Sequence, residues 1–471
     1  MKSALKGSAP SKKSGSVDAT PAHFRIMVGS YEHNLLCLSL ILRAGQPVFQ
    51  PVFHFQAHTL SIKAIDLAKR YLVTGSNDEH IRIYDLQKRK ELGTLLSHQG
   101  TVTTLKFSRE GNAATKVVKS KVEENKRGPK STEEKETSPV EQPPVEVSAA
   151  AAAASSSTSS TGASGKWLLS GSEDGKIIIW RTKDWESFGI LKGHTDRVND
   201  LSIHPSGRVA ISVSKDQTIR LWNLMTAKKA AVLKIRGKDH LGQAGEFVRW
   251  TTHDNGAHFL VGLLNQVLVY ETSAARIIKK VTFTSTMMCM EVMEVAGKQY
   301  FVTGHTDGRI NFYSIESQML VRREHQEDED KIWETKPEAI TPEFTLHGHT
   351  NRVKDITLFC DQRATNGIPY LISVSSDGKI VVWDLTESVR DQVAVYDSGE
   401  RLNCVVACPE DVEKMDSMKK RSSEFDEEDD IASGSEYETD GEEIKAIMKG
   451  GNKRGKKNKR SKKTKVSVTL E

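Results

Sequence analysis

The chain has 471 residues, 37% of them hydrophobic and 27% charged, and its 67 Lys and Arg against 62 Asp and Glu give a net charge of +5. Five scattered cysteines (Cys37, Cys289, Cys360, Cys404 and Cys408) form no CxxC pair, and the longest strongly apolar run, Leu35–Leu42, is far short of the roughly 20 residues a membrane helix needs. A disulfide framework, a secretory leader and a membrane span are thereby set aside, and the composition reads as a soluble, intracellular chain with a sizeable core and solvated segments.

Residues 1–23 have too few apolar side chains to order themselves and are expected to be disordered. From Phe24 a phrase begins to recur. In its fullest form it is a small residue and His, a strand-like run, Ser/Thr-Gly-Ser-x-Asp or a variant, and an aromatic six residues after the Asp. FRIMVGSYEHNLLCLSL is a weak first copy that lacks an opening strand. AHTLSIKAID…YLVTGSNDEHIRIYDL is a full second one. SHQGTVTTLKFS opens a third, broken by residues 109–165 and resumed as WLLSGSEDGKIIIWRT. The interrupting stretch has no aromatic residue from Gly111 to Gly165, a Pro143–Pro144 pair, alanines throughout Ala149–Ala154 and a Ser/Thr run, so it is expected to be disordered. GHTDRVNDLSIHPSGRVAISVSKDQTIRLWNL is the clearest copy. FLVGLLNQVLVYET is a weak fifth and FVTGHTDGRINFYSI a sixth with the second half only, and the Met run of TMMCMEVMEV between them reads as strand core. A charged insert, 317–342, carries Ile332 and Trp333 as apolar groups that would dock on the folded part. GHTNRVKDITLF…LISVSSDGKIVVWDL is the seventh copy. VAVYDSGERLNCVVAC then reads as an outer strand followed by an unpartnered inner strand, and its Leu402–Cys408 segment is expected to complete the first copy.

Residues 409–443 form an acidic linker, in which Glu424–Glu443 holds eleven acids and no base. Ser422, Ser423, Ser435 and Thr439 lie in or beside that block as candidate phosphorylation sites. Residues 444–471 form a basic tail, with Lys453, Arg454, Lys456, Lys457, Lys459, Arg460, Lys462, Lys463 and Lys465 crowded together. Runs of this kind act as nuclear targeting signals, contact nucleic-acid phosphates, or merely solubilise.

The recurring phrase resembles the WD40 family of β-propellers, in which each copy supplies a four-stranded blade. Removing the two inserts from Phe24–Cys408 leaves about 43 residues for each copy, within the roughly 40–45 of that repeat. The expected fold is all-β: a seven-bladed WD40 β-propeller over 24–408, closed by a C-terminal strand, with a disordered insert and tails. The resemblance implies buried structural tetrads in four blades: His58, Thr74, Asp78 and Tyr84; His98, Ser170, Asp174 and Trp180; His194, Ser212, Asp216 and Trp222; and His349, Ser373, Asp377 and Trp383. A Ser-His-Asp set could also be a nucleophilic triad, but four copies in one chain fit a repeated clamp better than a catalytic site. Leu38 and Tyr270 hold the aromatic position in the first and fifth copies without a matched Asp. No nucleotide, metal or hydrolase motif is present, so no catalytic residue, metal or cofactor is expected. Lys63, Arg197, Arg352 and Lys354 recur where inner strands would begin, and form a candidate binding rim at one mouth of the channel.

Several phrases are more specific: NDEHIRIYDLQKRKELGTLLSHQG, KDWESFGILKGHTDRVNDLSIHP, TIRLWNLMTAKKAAVLK, SGERLNC and the terminal KKTKVSVTLE. They are similar to one WD-repeat subfamily, the fungal maintenance-of-killer and animal p21-activated kinase-interacting proteins. The resemblance implies a nuclear and nucleolar scaffold in assembly of the large ribosomal subunit. Its partners would be proteins of the pre-ribosomal particle, with a non-specific rRNA contact through the tail. For the animal members it also implies an adaptor that inhibits a p21-activated kinase.

Overall fold

Runs such as Lys176–Arg181 and Lys379–Asp384 are apolar at successive positions, which a strand tolerates only when both faces of its sheet are covered. The computed structural model shows what covers them. It describes residues 22–43, 46–108, 165–236, 242–251, 256–315, 337–361 and 363–410. These are all-β and form seven sheets arranged as a ring, antiparallel but for one added strand in the fifth. The expectations for residues 1–21, for nearly all of the 109–165 insert, for Ile332 and Trp333, and for the acidic linker and basic tail beyond Glu410 lie outside the described residues, as do the candidate phosphorylation sites.

Each blade contributes one inner strand: Leu402–Pro409, Ile62–Ala68, Val102–Phe107, Val198–Ile203, Phe247–Trp250, Met287–Val295 and Val353–Phe359 for blades one to seven. Every inner strand packs on the next, and the seventh packs on the first, so the circle is complete. Apolar side chains gather between neighbouring blades in seven clusters rather than one central core. Burial falls outward: the fourth strand of blade four, Lys228–Lys234, is mostly exposed.

Closure uses the two ends of the ring. Leu402–Pro409 pairs antiparallel with Ala22–Ser30, placing Phe24 opposite Pro409 and Gly29 opposite Cys404. The first blade is therefore built from the last strand and the first three, which removes the two open edges an unclosed array would expose. The ring extends two residues before Phe24 and one past Cys408, and Arg25 anchors Glu410 beyond it at 2.6 Å. The charged insert is shorter in the folded ring than 317–342, because Glu338–Ala339 adds a parallel fifth strand to blade five. Ile340 packs on the cluster between blades five and six, and Lys279 reaches Glu338 at 3.1 Å.

The glycine of the Ser/Thr-Gly-Ser phrase has a packing reason. A Cβ on Gly75 would stand 2.6 Å from Val102 of the next inner strand, and one on Gly171 would meet Thr104 at 2.8 Å. Blade four reverses the sizes: Val213 fills the glycine position and Gly245 of blade five gives way to it. Antiparallel order also sorts the connections. Links from first to second and third to fourth strand fall on one face, and second-to-third turns and blade-to-blade links fall on the other.

Candidate functional site

The tetrads sit where blade-to-blade links meet the second-to-third turns. In blade four the Trp222 indole Nε1–H, which can only donate, bonds Ser212 Oγ at 2.8 Å. Ser212 Oγ also lies 2.8 Å from His194 Nε2, and His194 Nδ1 lies 3.0 Å from Asp216. One proton order satisfies all three contacts: the serine donates to an unprotonated Nε2, and Nδ1–H donates to the carboxylate. Blades three and seven repeat it, with Trp180 to Ser170 at 2.8 Å and Trp383 to Ser373 at 2.9 Å. Their serines lie 2.8 Å from His98 and His349, which reach Asp174 and Asp377 at 3.4 Å each. In blade two His58 bridges Thr74 at 2.7 Å and Asp78 at 2.9 Å, while the Tyr84 hydroxyl makes no bond of the indole kind.

Each aspartate also accepts two backbone N–H groups, from the residue after the histidine and from its own turn. For Asp216 these are Thr195 at 3.1 Å and Thr218 at 2.9 Å. Burial opposes ionisation of the four carboxyls, but the paired histidines, the Thr218 hydroxyl at Asp216 and the backbone N–H groups together outweigh it and hold all four below the usual range, Asp216 down at about 2. Burial lowers His58, His194 and His349 in spite of their aspartates, consistent with the neutral ring the proton order requires.

This arrangement has the connectivity of a hydrolytic triad without the access. Thr74, Ser170, Ser212 and Ser373 are 0% exposed, and three of the four already accept an indole proton. A carbonyl substrate cannot reach them. The sets tie a turn to a link and stiffen the face.

Blades five and six solve the same position otherwise. Tyr270 stacks on Phe259 at 4.8 Å, and Tyr313 on Phe301 at 4.8 Å. In blade six Thr303 is met by His305 of its own strand at 2.8 Å, a histidine that the recurring phrase does not single out. That blade is complete: Met287–Val295 and Lys298–His305 supply its first half, with Met287, Met290 and Met293 buried.

The four rim cations divide. Lys63 and Arg352 are close enough to Lys354 to add to its burial in lowering its pKa. Arg197 stands apart in blade four, where it donates to Asn199 at 2.9 Å and lies 3.9 Å from Glu246. Deeper in the channel is a charged layer the repeats did not reveal. Arg249 of blade five bonds Asp200 of blade four and Glu291 of blade six, the latter at 2.8 Å. Lys106 of blade three completes the layer. Asp66, Asp200 and Asp355 each accept a backbone N–H from the next inner strand, those of Phe107, Val248 and Val405 at 2.6, 3.2 and 2.9 Å. Sequence signal for these contacts was slight, because each joins different copies. Among the described residues no cluster of His, Cys, Asp or Glu could hold a metal ion.

The chain matches the family model "WD domain, G-beta repeat" at residues 49–85, 157–181, 185–223 and 340–384. It is 48% identical to Protein MAK11 of Saccharomyces cerevisiae, over 95% of this chain and 98% of that one. The p21-activated protein kinase-interacting protein 1-like of Gallus gallus is 28% identical over 81% of this chain and 79% of its own length. The human p21-activated protein kinase-interacting protein 1 is 27% identical over 75% and 67%.

Proposed function

The chain belongs to the WD-repeat family that includes Protein MAK11, and on that premise we propose that it is a non-catalytic scaffold in nucleolar assembly of the large ribosomal subunit. The observation that carries the proposal is the match to Protein MAK11, 48% identical over 95% of this chain and 98% of that one. Two further features support it. Among the described residues the tetrad hydroxyls are fully enclosed, which supports use of the ring as a rigid surface. The nine cations of Lys453–Lys465 suit nuclear entry and a sequence-independent hold on rRNA phosphates. The proteins that bind it would be assembly factors or ribosomal proteins of the precursor particle.

A second reading follows the animal relatives, named for interaction with a p21-activated kinase, and makes this chain an inhibitory adaptor for such a kinase. Sedimentation separates the two. Tagged protein from cell extract is run on a sucrose gradient, and the fractions are probed for large-subunit rRNA precursors and for the kinase. Co-migration with the precursors is expected. Migration with a kinase in light fractions, with none in the particle peak, would overturn the first reading.

A further inference from the structure

All four long segments outside the ring leave it on one face. Ala22–Ser30 begins there as a second strand, and Leu402–Pro409 ends there as an inner strand. Residues 109–164 join a first strand to a second, and residues 316–336 join a third to a fourth, both on that same side. The opposite face carries the tetrads and the links between blades.

Charge on the tetrad face is uneven among the described residues. Arg197 has Asn199 and Glu246. Lys63, Arg352, Lys354 and Arg401 lie on blades seven, one and two, at or beside the first residue of each inner strand, and none of them has a carboxylate within ion-pair distance among the described residues. Lys354 is half-buried, and burial together with Arg352 and Lys63 disfavours its charged form. A ring that pairs Lys106, Arg249 and Arg197 with acids leaves this sector repelling itself. Like charges held together without a counterion are relieved by an incoming anion. Tyr31, 51% exposed, stands beside them with Lys63 Nζ 5.9 Å from its ring centre.

We propose that the channel mouth of blades seven, one and two, formed by Lys63, Arg352, Lys354 and Arg401, is the docking site for an acidic, extended segment of a protein partner. The proposal rests on the scaffold reading and gives that scaffold its contact surface. Peptide is favoured over nucleic acid by the sector's shape. Lys354 is half-buried beside only two other cations, Lys63 and Arg352, whereas a nucleic-acid strand needs cations along a track. The track stops: at the position of Lys354, blade six has Met288 and blade five Glu246.

The test uses the full chain and two probes, a fluorescent decaglutamate peptide and an oligouridine of ten nucleotides, at low and moderate salt. Compared are the unaltered protein, Lys63→Glu/Lys354→Glu, and Arg197→Glu as the control on the opposite sector. The tail contributes equally to all three, so the ratios isolate the mouth. The double variant is expected to lose at least about tenfold in decaglutamate affinity, Arg197→Glu to stay within about twofold, and thermal unfolding to show both folded. A photo-crosslinking decaglutamate should mark peptides of blades seven, one and two. Equal binding by all three proteins, or crosslinks confined to the tail, would overturn the site. Selective loss of oligouridine binding in the double variant would make the mouth an RNA reader and overturn the choice of partner. Gradient sedimentation of the double variant separates this failure from that of the scaffold reading. If it still migrates with large-subunit precursors while decaglutamate binding is unchanged from the unaltered protein, the scaffold stands and the docking site falls.

Discussion

Lys106 Nζ lies 3.8 Å from Glu291 Oε1 although their blades, three and six, stand across the channel from each other. Arg249 joins the same carboxylate from blade five. Glu291 therefore neutralises two cations, one of them more enclosed: the Arg249 side chain is 14% exposed against 31% for Lys106. Glu291→Gln is expected to destabilise the ring by about 1–3 kcal/mol, and Lys106→Gln by about 0–1 kcal/mol. Denaturant unfolding of the two variants checks the order, and an equal loss in both would contradict it.

Asp216→Ala removes the acceptor of His194, Thr195 and Thr218 together. A loss of about 1–3 kcal/mol is expected, because buried donors are left without a partner. A variant with an unchanged melting temperature but impaired particle binding would show that the aspartate serves recognition instead.

Acid should weaken the fold in two stages. His58, His194 and His349 have lowered pKa values, so the unfolded chain takes up protons first as pH falls through about 6.5, and stability declines from there. Asp355 opposes this: burial pushes it up to about 6, so between there and about 4 the folded state holds a proton that the unfolded chain has released. Burial lowers His204 and His305 as well and raises Glu246, so five histidines stand against two carboxyls and leave a net decline. Below about 4 the depressed tetrad aspartates add a second loss, complete for Asp216 near its value of about 2. Chemical unfolding at a series of pH values should show both slopes, and constant stability from pH 7 to 5 would refute the first.

Residues 109–164 leave and re-enter the ring at one point, where Gly165 N–H bonds Ser108 O at 3.2 Å and Ser108 N–H bonds Trp167 O at 2.8 Å. Replacing the insert by a short Gly-Ser linker should leave the ring folded and stabilise it slightly, since loop closure grows more costly with length. A drop in melting temperature would show that the insert packs on the propeller.

Deleting Lys453–Glu471 should reduce nuclear and nucleolar accumulation while leaving thermal unfolding of the ring unchanged. It should also flatten the salt dependence of RNA binding: if about five of the cations meet single-stranded phosphates, the lost log–log slope is about −3.5. Imaging of a tagged truncation and titrations across salt concentrations measure the two effects.

Blade number and closure by Leu402–Pro409 were legible because each is written within one copy or at the ends of the array; the family resemblance pointed to the His–Ser/Thr–Asp sets, whose aromatic member joins by hydrogen bond in three blades and not at Tyr84. The Lys106–Glu291–Arg249 layer was not legible, since its members come from three copies and meet only when the ring's geometry aligns them. The separation of Arg197 from Lys63, Arg352 and Lys354 was hidden for the same reason. Periodicity gives all four related strand positions but not the company each keeps, and Glu246 belongs to a weak copy with no recognisable phrase. The exchange of Val213 and Gly245 shows the limit in another way: the motif glycine is a volume constraint that two residues from adjacent blades can satisfy in either order.

Closure of the first blade by the last strand also sets a timetable. The ribosome delivers Ala22–Ser30 early, yet its partner Leu402–Pro409 emerges only when most of the chain has been made. At about 5–20 residues per second the first blade waits on the order of tens of seconds with an unsatisfied edge and an apolar flank. Throughout that interval the nascent chain is a template for wrong pairing, with itself or with a neighbour on the same message. A premature stop anywhere before Leu402 would thus leave an open array with an exposed edge rather than a smaller closed ring.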